Sequence, residues 1–339
     1  MPLPEAASPR PDSTTKIVLW DKIVRLAADG GKVTDVAFVG LGRNVINPVE
    51  MVWMTAASHA GLVAVAARPI PGTAEAGEEL GRRAENLLPQ GQALSISLGG
   101  TAAVDAAGRV FVLRGGWTDS LQVPAGMAPV RDLALGATGL LYVLAGSQVL
   151  VYGQPPRLPL WSFALRADLA PAVGLAVSVR GEVYVAGQGK TALAVYDLDA
   201  AGRFRRQRSA TARSLGVTKV AGVALTPPML LPIPGREGWE GEDRFVILSD
   251  SSQSALVTVD ARTLVAVGRT GLQADLPGVV PGRVDASNRG QIACVDARGG
   301  GAWALPTRVL AGMVRSVPGL RWRIIPGDST STLSGSTGP

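Results

Sequence analysis

The chain has one cysteine, Cys294, and one histidine, His59, among 339 residues. A single cysteine excludes an intramolecular disulfide and a cysteine-based zinc site. A single histidine leaves Ser–His–Asp catalysis dependent on partners converging on the loop "TAASHAG", and no nucleophile-elbow pattern is present. His59 therefore reads as a solvated loop residue, and Cys294, inside "QIACV", as a small buried hydrophobe. No run of about 18 apolar residues occurs, which excludes a hydrophobic transmembrane helix. The opening "MPLPEAASPRPDSTTK" lacks a basic region followed by an apolar stretch, so a secretory signal is not expected and a cytoplasmic location is. Charged residues make up only 18% and aromatics 5%, so neither a solvated polyelectrolyte nor an aromatic nucleic-acid platform is indicated.

What is plentiful is turn chemistry. Gly (42) and Pro (24) accompany 47% hydrophobic residues, a composition for many short buried strands rather than long helices. The net charge is +6, carried by 28 Arg and 5 Lys. Arginine suits planar recognition of carboxylate or phosphate. The same bias accompanies GC-rich coding, so the charge motivates a test for acidic partners without identifying one.

Six segments repeat one layout of apolar strand, small polar loop and second apolar strand: 50–68, 109–124, 140–153, 182–199, 244–262 and 291–306. Each follows a shorter alternating strand at 33–39, 100–105, 131–136, 174–179, 221–226 or 282–287. The second strands begin at Met51, Val110, Leu141, Val183, Phe245 and Ile292, a mean spacing of about 48 residues. Fourth, outer strands fit at 93–98, 159–165, 203–210 and 263–270, although the second unit has little room for one. The expected fold is an all-β, six-bladed β-propeller over 16–326, with 1–15 and 327–339 as disordered tails. Ring closure falls to 16–27 or 319–327, and a seventh blade requires both.

The segments "GEVYVAG" and "GLLYVLAG", after a strand like "GLAV", resemble the NHL and YVTN families of β-propellers over roughly 30–325. The Asn-Arg-Ile continuation of the NHL pattern is missing, so the resemblance implies fold rather than subfamily. Six-bladed relatives include gluconolactonase-like enzymes that hold an axial divalent metal with Glu, Asn and Asp. Here Glu50 could face the channel, and of four Asn only Asn288 lies in a repeat turn, so no cofactor or metal is expected.

The recurring "VDAAGR"-type corners place Asp105, Asp199 and Asp285 ahead of Gly108, Gly202 and Gly290. Such a corner satisfies a turn by itself, and one carboxylate falls far short of a calcium loop. "AEAGEELGRRAENLLPQG" (74–91) places Leu80, Ala84, Leu87 and Leu88 at helical spacing and is predicted to be an inserted helix. Candidate partner-binding residues are Arg203, Arg205, Arg206 and Arg208 in "RFRRQRSA", where strand alternation puts 203 and 205 on one face and 206 and 208 on the other. A second set is Met229, Leu230, Leu231, Ile233 and Trp239 in the Pro-rich loop 226–243. The bland reading of the arginines is protection of a sheet edge. The function expected is a non-enzymatic protein-interaction scaffold or assembly subunit, with a protein partner or partners for which an acidic surface is the one to test. The alternatives are a lactonase-like metal hydrolase and a small-ligand or glycan binder; nucleic acid is disfavoured.

Overall fold

In the computed structural model the strands are β1 Lys16–Val18, β2 Val24–Leu26, β3 Val33–Val39, β4 Met51–Ala56, β5 Ala60–Arg68 and β6 Glu78–Pro89. Next come β7 Ala93–Ser97, β8 Gly100–Val104, β9 Arg109–Arg114, β10 Trp117–Gln122, β11 Val130–Leu135, β12 Leu141–Ala145, β13 Gln148–Tyr152 and β14 Pro159–Ala164. A 3-10 turn, Ala167–Leu169, precedes β15 Ala172–Val177, β16 Val183–Gly187, β17 Thr191–Leu198 and β18 Phe204–Thr211. One short helix, α1 Ala212–Leu215, leads to β19 Val220–Leu225, β20 Phe245–Asp250, β21 Ala255–Asp260 and β22 Ala266–Gly271. The last strands are β23 Pro281–Ala286, β24 Ile292–Asp296, β25 Ala302–Leu305 and β26 Arg323–Ile325. The structure describes these elements and most connections from 109 to 305, omitting 115–116, 125, 128, 137, 154–157, 227–244, 275, 287–291 and 299–300.

The strands form six four-stranded sheets and one two-stranded pair. Five sheets are meanders of consecutive strands, and in the sixth the N-terminal β2 pairs antiparallel with β25 as the outer strand. The first strands touch in a closed cycle, β3 to β7, β11, β15, β19, β23 and back to β3. Segment 16–27 therefore supplies the closing strand, and its first part, β1, pairs in parallel with β26. The four sheets from β11 onward are the ones described with most of their side chains, so at that level four blades are shown where six were expected.

Burial explains the strand sequences. A sheet flanked by two others hides both faces, so its middle strands read as unbroken apolar runs. β12 (LYVLA) and β16 (VYVAG) are buried at every residue, whereas outer β14 alternates half-buried and exposed positions. The core is correspondingly layered between neighbouring sheets. Leu141 and Val143 of β12 pack toward the preceding sheet, and Tyr142 and Leu144 toward the following one. Cys294 is fully buried in the layer between the β20 and β24 sheets, and burial pushes its thiol up to about 12. Ellman's reagent is thus expected to leave Cys294 untouched in the native chain and to react fully in denaturant; rapid native labelling would contradict this packing.

Two expectations fail here. Residues 78–89 form β6, the fourth strand of the first sheet, not a helix. Its pairing with β5 shifts register at Ala60/Leu62 and again at Val65/Ala67, and these irregularities break the two-residue alternation. What remains imitates three-to-four spacing, and sheet pairing overrides helix propensity. Segment 93–98 is likewise not the outer strand of the first sheet but contains β7, the first strand of the second. That shift in frame gives the second sheet its four strands, β7 to β10, with no outer strand needed after Gln122.

The acidic corners are turns where they are described. Asp199 Oδ1 accepts from the backbone N–H groups of Ala201 and Arg203, both at 2.9 Å, and Gly202 closes the corner at φ +70°. Asp260 Oδ1 accepts from Arg262 and Thr263 in the same manner. Asp285 lies inside β23, and the turns beginning at Asp105 and leading to Gly290 fall outside the described residues.

Candidate functional site

The first strands line the axis, and all but β7 begin with a register irregularity, at Val33/Asp35, Val130/Asp132, Ala172/Gly174, Val220/Gly222 and Pro281/Val284. These positions hold the axial chemistry. Arg283 from β23 reaches across the ring to Asp132 on β11, with Nη1 2.6 Å from Oδ1, and lies 3.5 Å from Asp35 Oδ2 on β3. Its Nη2 also donates to the carbonyl of Arg131. Asp132 Oδ1 accepts from Leu133 N at 2.9 Å, and Oδ2 from Leu175 N of the next sheet at 2.8 Å. Asp35 Oδ1 accepts from Val36 N at 2.8 Å.

Both carboxylates are buried. Desolvation raises the Asp132 carboxyl, opposed by the guanidinium and the two N–H groups, while those carboxylates push Arg283 up. Small residues permit this crowding. A Cβ on Gly222 would stand 2.8 Å from Arg283 Cα, and one on Gly174 would stand 3.1 Å from Asp132 Oδ2. These three charged residues had no distinguishing motif in the sequence. The signal was positional: a charged residue in an otherwise small, apolar first strand.

An axial divalent metal does not fit this arrangement. The cation-binding faces of Asp35 and Asp132 are directed at Arg283, and the described residues contain no group of three His, Cys, Asp or Glu able to hold an ion. Glu50, Asn288 and His59 lie outside the described residues.

The arginine stretch behaves differently from strict alternation. Tyr196 pairs with Arg206 and Val195 with Arg208, so Gln207 is the extra residue of a bulge. Arg206 and Arg208 therefore point to opposite neighbours instead of sharing a face. Arg206 Nη1 binds both oxygens of Asp168, at 3.0 and 2.8 Å, and Thr191 Oγ1 donates to the same carboxylate at 2.8 Å. These partners hold Asp168 below its ordinary range. Arg208 meets Glu182 Oε1 at 2.5 Å and donates to the carbonyls of Ala261 and Arg262, tying its own sheet to the next. Arg203 and Arg205 stay exposed and share the single carboxylate of Asp199, at 3.7 and 3.3 Å.

In a four-stranded meander the first-to-second and third-to-fourth turns leave from the same end. The corner carrying Arg203 and the connection from β19 to β20 thus sit at one end of adjacent sheets. That connection is anchored where Thr226 Oγ1 accepts from Phe245 N at 3.1 Å. Met229, Leu230, Leu231, Ile233 and Trp239 themselves lie outside the described residues.

Solved structures with the same arrangement decide the fold. A putative gluconolactonase aligns with a TM-score of 0.54 at 14% identity, over 84% of this chain and 91% of its own. The Swd1 β-propeller domain of Myceliophteria thermophila aligns at 0.51 and 9% identity, over 80% of this chain and 83% of its own. The fold is that of a β-propeller. An inactive virginiamycin B lyase from Staphylococcus aureus, with quinupristin, aligns with this propeller at 0.51 and 10% identity, over 85% of this chain and 89% of its own. No family model and no curated protein matches the propeller's sequence. At such identities the likeness concerns the fold alone. The neighbours' names span a β-propeller domain and enzymes, so they favour neither function.

Proposed function

We propose that the chain is a non-enzymatic, six-bladed propeller of the NHL and YVTN type, acting as an interaction scaffold or as one subunit of a cytoplasmic assembly. The observation that carries this reading is the axial cluster: Arg283 occupies the carboxylates of Asp35 and Asp132 with a fixed internal cation. A hydrolase holding an axial metal on these first strands would need those oxygens for it. Charge at the axis is thereby committed to holding sheets together, and recognition is left to the ring's ends and outer strands. On this reading Arg203 and Arg205 contribute to partner contact, whereas Arg206 and Arg208 serve it by fixing the sheets that present them. The Pro-rich loop residues Met229, Leu230, Leu231, Ile233 and Trp239 would supply apolar contacts beside them.

The test is affinity capture with the full chain and with a form lacking 226–243, alongside metal analysis of the purified protein. A stoichiometric protein partner, recovered several-fold less with the deletion, is the expected result. Stoichiometric divalent metal together with lactone hydrolysis would overturn the scaffold reading. Undiminished recovery would instead move the docking site away from the loop.

A further inference from the structure

The large hydrophobic side chains that are exposed among the described residues are Leu158, Leu160, Leu198 and Val265, at 78, 56, 40 and 57% exposure. Their placement is not scattered. Leu158 and Leu160 flank the start of β14, Leu198 ends β17, and Val265 immediately precedes β22. All four therefore border third-to-fourth-strand turns, in three consecutive blades, at one end of the ring. Isolated surface leucines need no explanation, but repetition at the same place in adjacent blades forms a row.

The charges beside this row differ in exposure. Asp197 Oδ1 accepts from Leu198 N, and Asp199 and Asp260 turn their oxygens to backbone N–H groups within their corners. Arg203 and Arg205 project outward with 66 and 58% of their side chains exposed, and Arg262 is exposed on the next blade. The three aspartates are half-buried in their corners while the three arginines are exposed, so an approaching partner meets guanidinium groups first.

We infer that this rim is a docking surface for an acidic protein segment that carries apolar residues among its carboxylates. The apolar residues would cover Leu160, Leu198 and Val265, and the carboxylates would meet Arg203 and Arg205. This deepens the scaffold reading and rests on it, naming the rim and the chemistry of what it holds. Charge complementarity selects the acidic segment, and the blade-by-blade repeat of apolar positions favours a segment laid along the rim.

A fluorescein-labelled synthetic peptide of repeating Asp, Glu and Leu serves as the probe, with binding to the full chain read by anisotropy. Binding is expected to weaken by about tenfold or more in the Arg203→Glu/Arg205→Glu variant and in Leu160→Ser/Leu198→Ser/Val265→Ser. It should fall with added salt for the wild type and be unchanged by Lys190→Glu or Lys219→Glu, which sit at the opposite end. Native folding of each variant is checked by the protection of Cys294. Equal binding by all variants, no binding, or preference for phosphatidylglycerol vesicles or single-stranded DNA over the peptide would overturn the rim assignment. The scaffold reading is scored separately: a stoichiometric partner recovered undiminished by both rim variants sinks the rim and leaves the scaffold standing.

Discussion

Replacing Arg283 with methionine is expected to destabilise the fold by about 3–5 kcal/mol, the range for breaking a buried ion pair on one side only. Methionine keeps much of the length and apolar volume but removes the charge that lets Asp132 and Asp35 stay buried. The loss falls at ring closure, because Arg283 sits on the first strand of the sheet completed by β2 and contacts both the adjacent and the opposite first strands. Arg283→Met combined with Asp132→Asn should cost less than the sum of the two single variants, since asparagine can still accept from Leu175 N while needing no counter-charge. Urea unfolding of the four proteins measures this coupling. Strict additivity would mean that the guanidinium and carboxylate do not act together.

The acid side of the stability profile follows from the directions of two shifts. Desolvation leads the causes that raise Asp132 in the folded chain, so the native state binds that proton more tightly than the unfolded one. Its titration therefore adds stability as pH falls through the folded value toward the ordinary 3.8. Asp168 has the opposite sign: its stabilisation is present above 3.8 and is lost as pH falls through its depressed folded value. Its side chain is about a third exposed, so solvent screens much of that contribution. Acid weakening should accordingly begin at the Arg206–Asp168 contact rather than at the axis.

The repeated strands were legible because a sheet covered on both sides needs continuous apolar runs, and "LYVLA" and "VYVAG" are such runs. Asp199 was legible because its turn is local, made within five residues from 199 to 203. β6 was hidden by two register shifts with β5, which no local pattern in "EELGRRAENLLP" reports. The same blindness affected Arg206 and Arg208, whose opposite directions depend on one extra residue in a pairing known only from the partner strand. Arg283 was hidden most deeply, because its partners lie 151 residues away at Asp132 and further still at Asp35. Ring closure brings them together, and nothing short of the ring predicts it.

Gly187→Ala should be the most damaging small substitution, costing about 3 kcal/mol, at the upper end of what overpacking usually costs. A Cβ there would stand 2.0 Å from the carbonyl oxygen of Leu169 and 2.9 Å from its carbonyl carbon. Both are backbone atoms, so no rotamer change relieves the clash, and the 3-10 turn must move. That turn carries Asp168, so its displacement also loosens the contact with Arg206 and Thr191. Gly202→Ala is the natural control. It places a Cβ at φ +70° with nothing within 4 Å, so its cost should be confined to backbone strain of about 1 kcal/mol. In urea melts Gly187→Ala and Arg206→Met should be non-additive, since each already weakens the same anchor, while Gly202→Ala should add independently to either. A Gly187→Ala protein as stable as Gly202→Ala would mean that the Leu169 segment does not lie against the β16–β17 hairpin, and the inter-sheet connection would have to be redrawn.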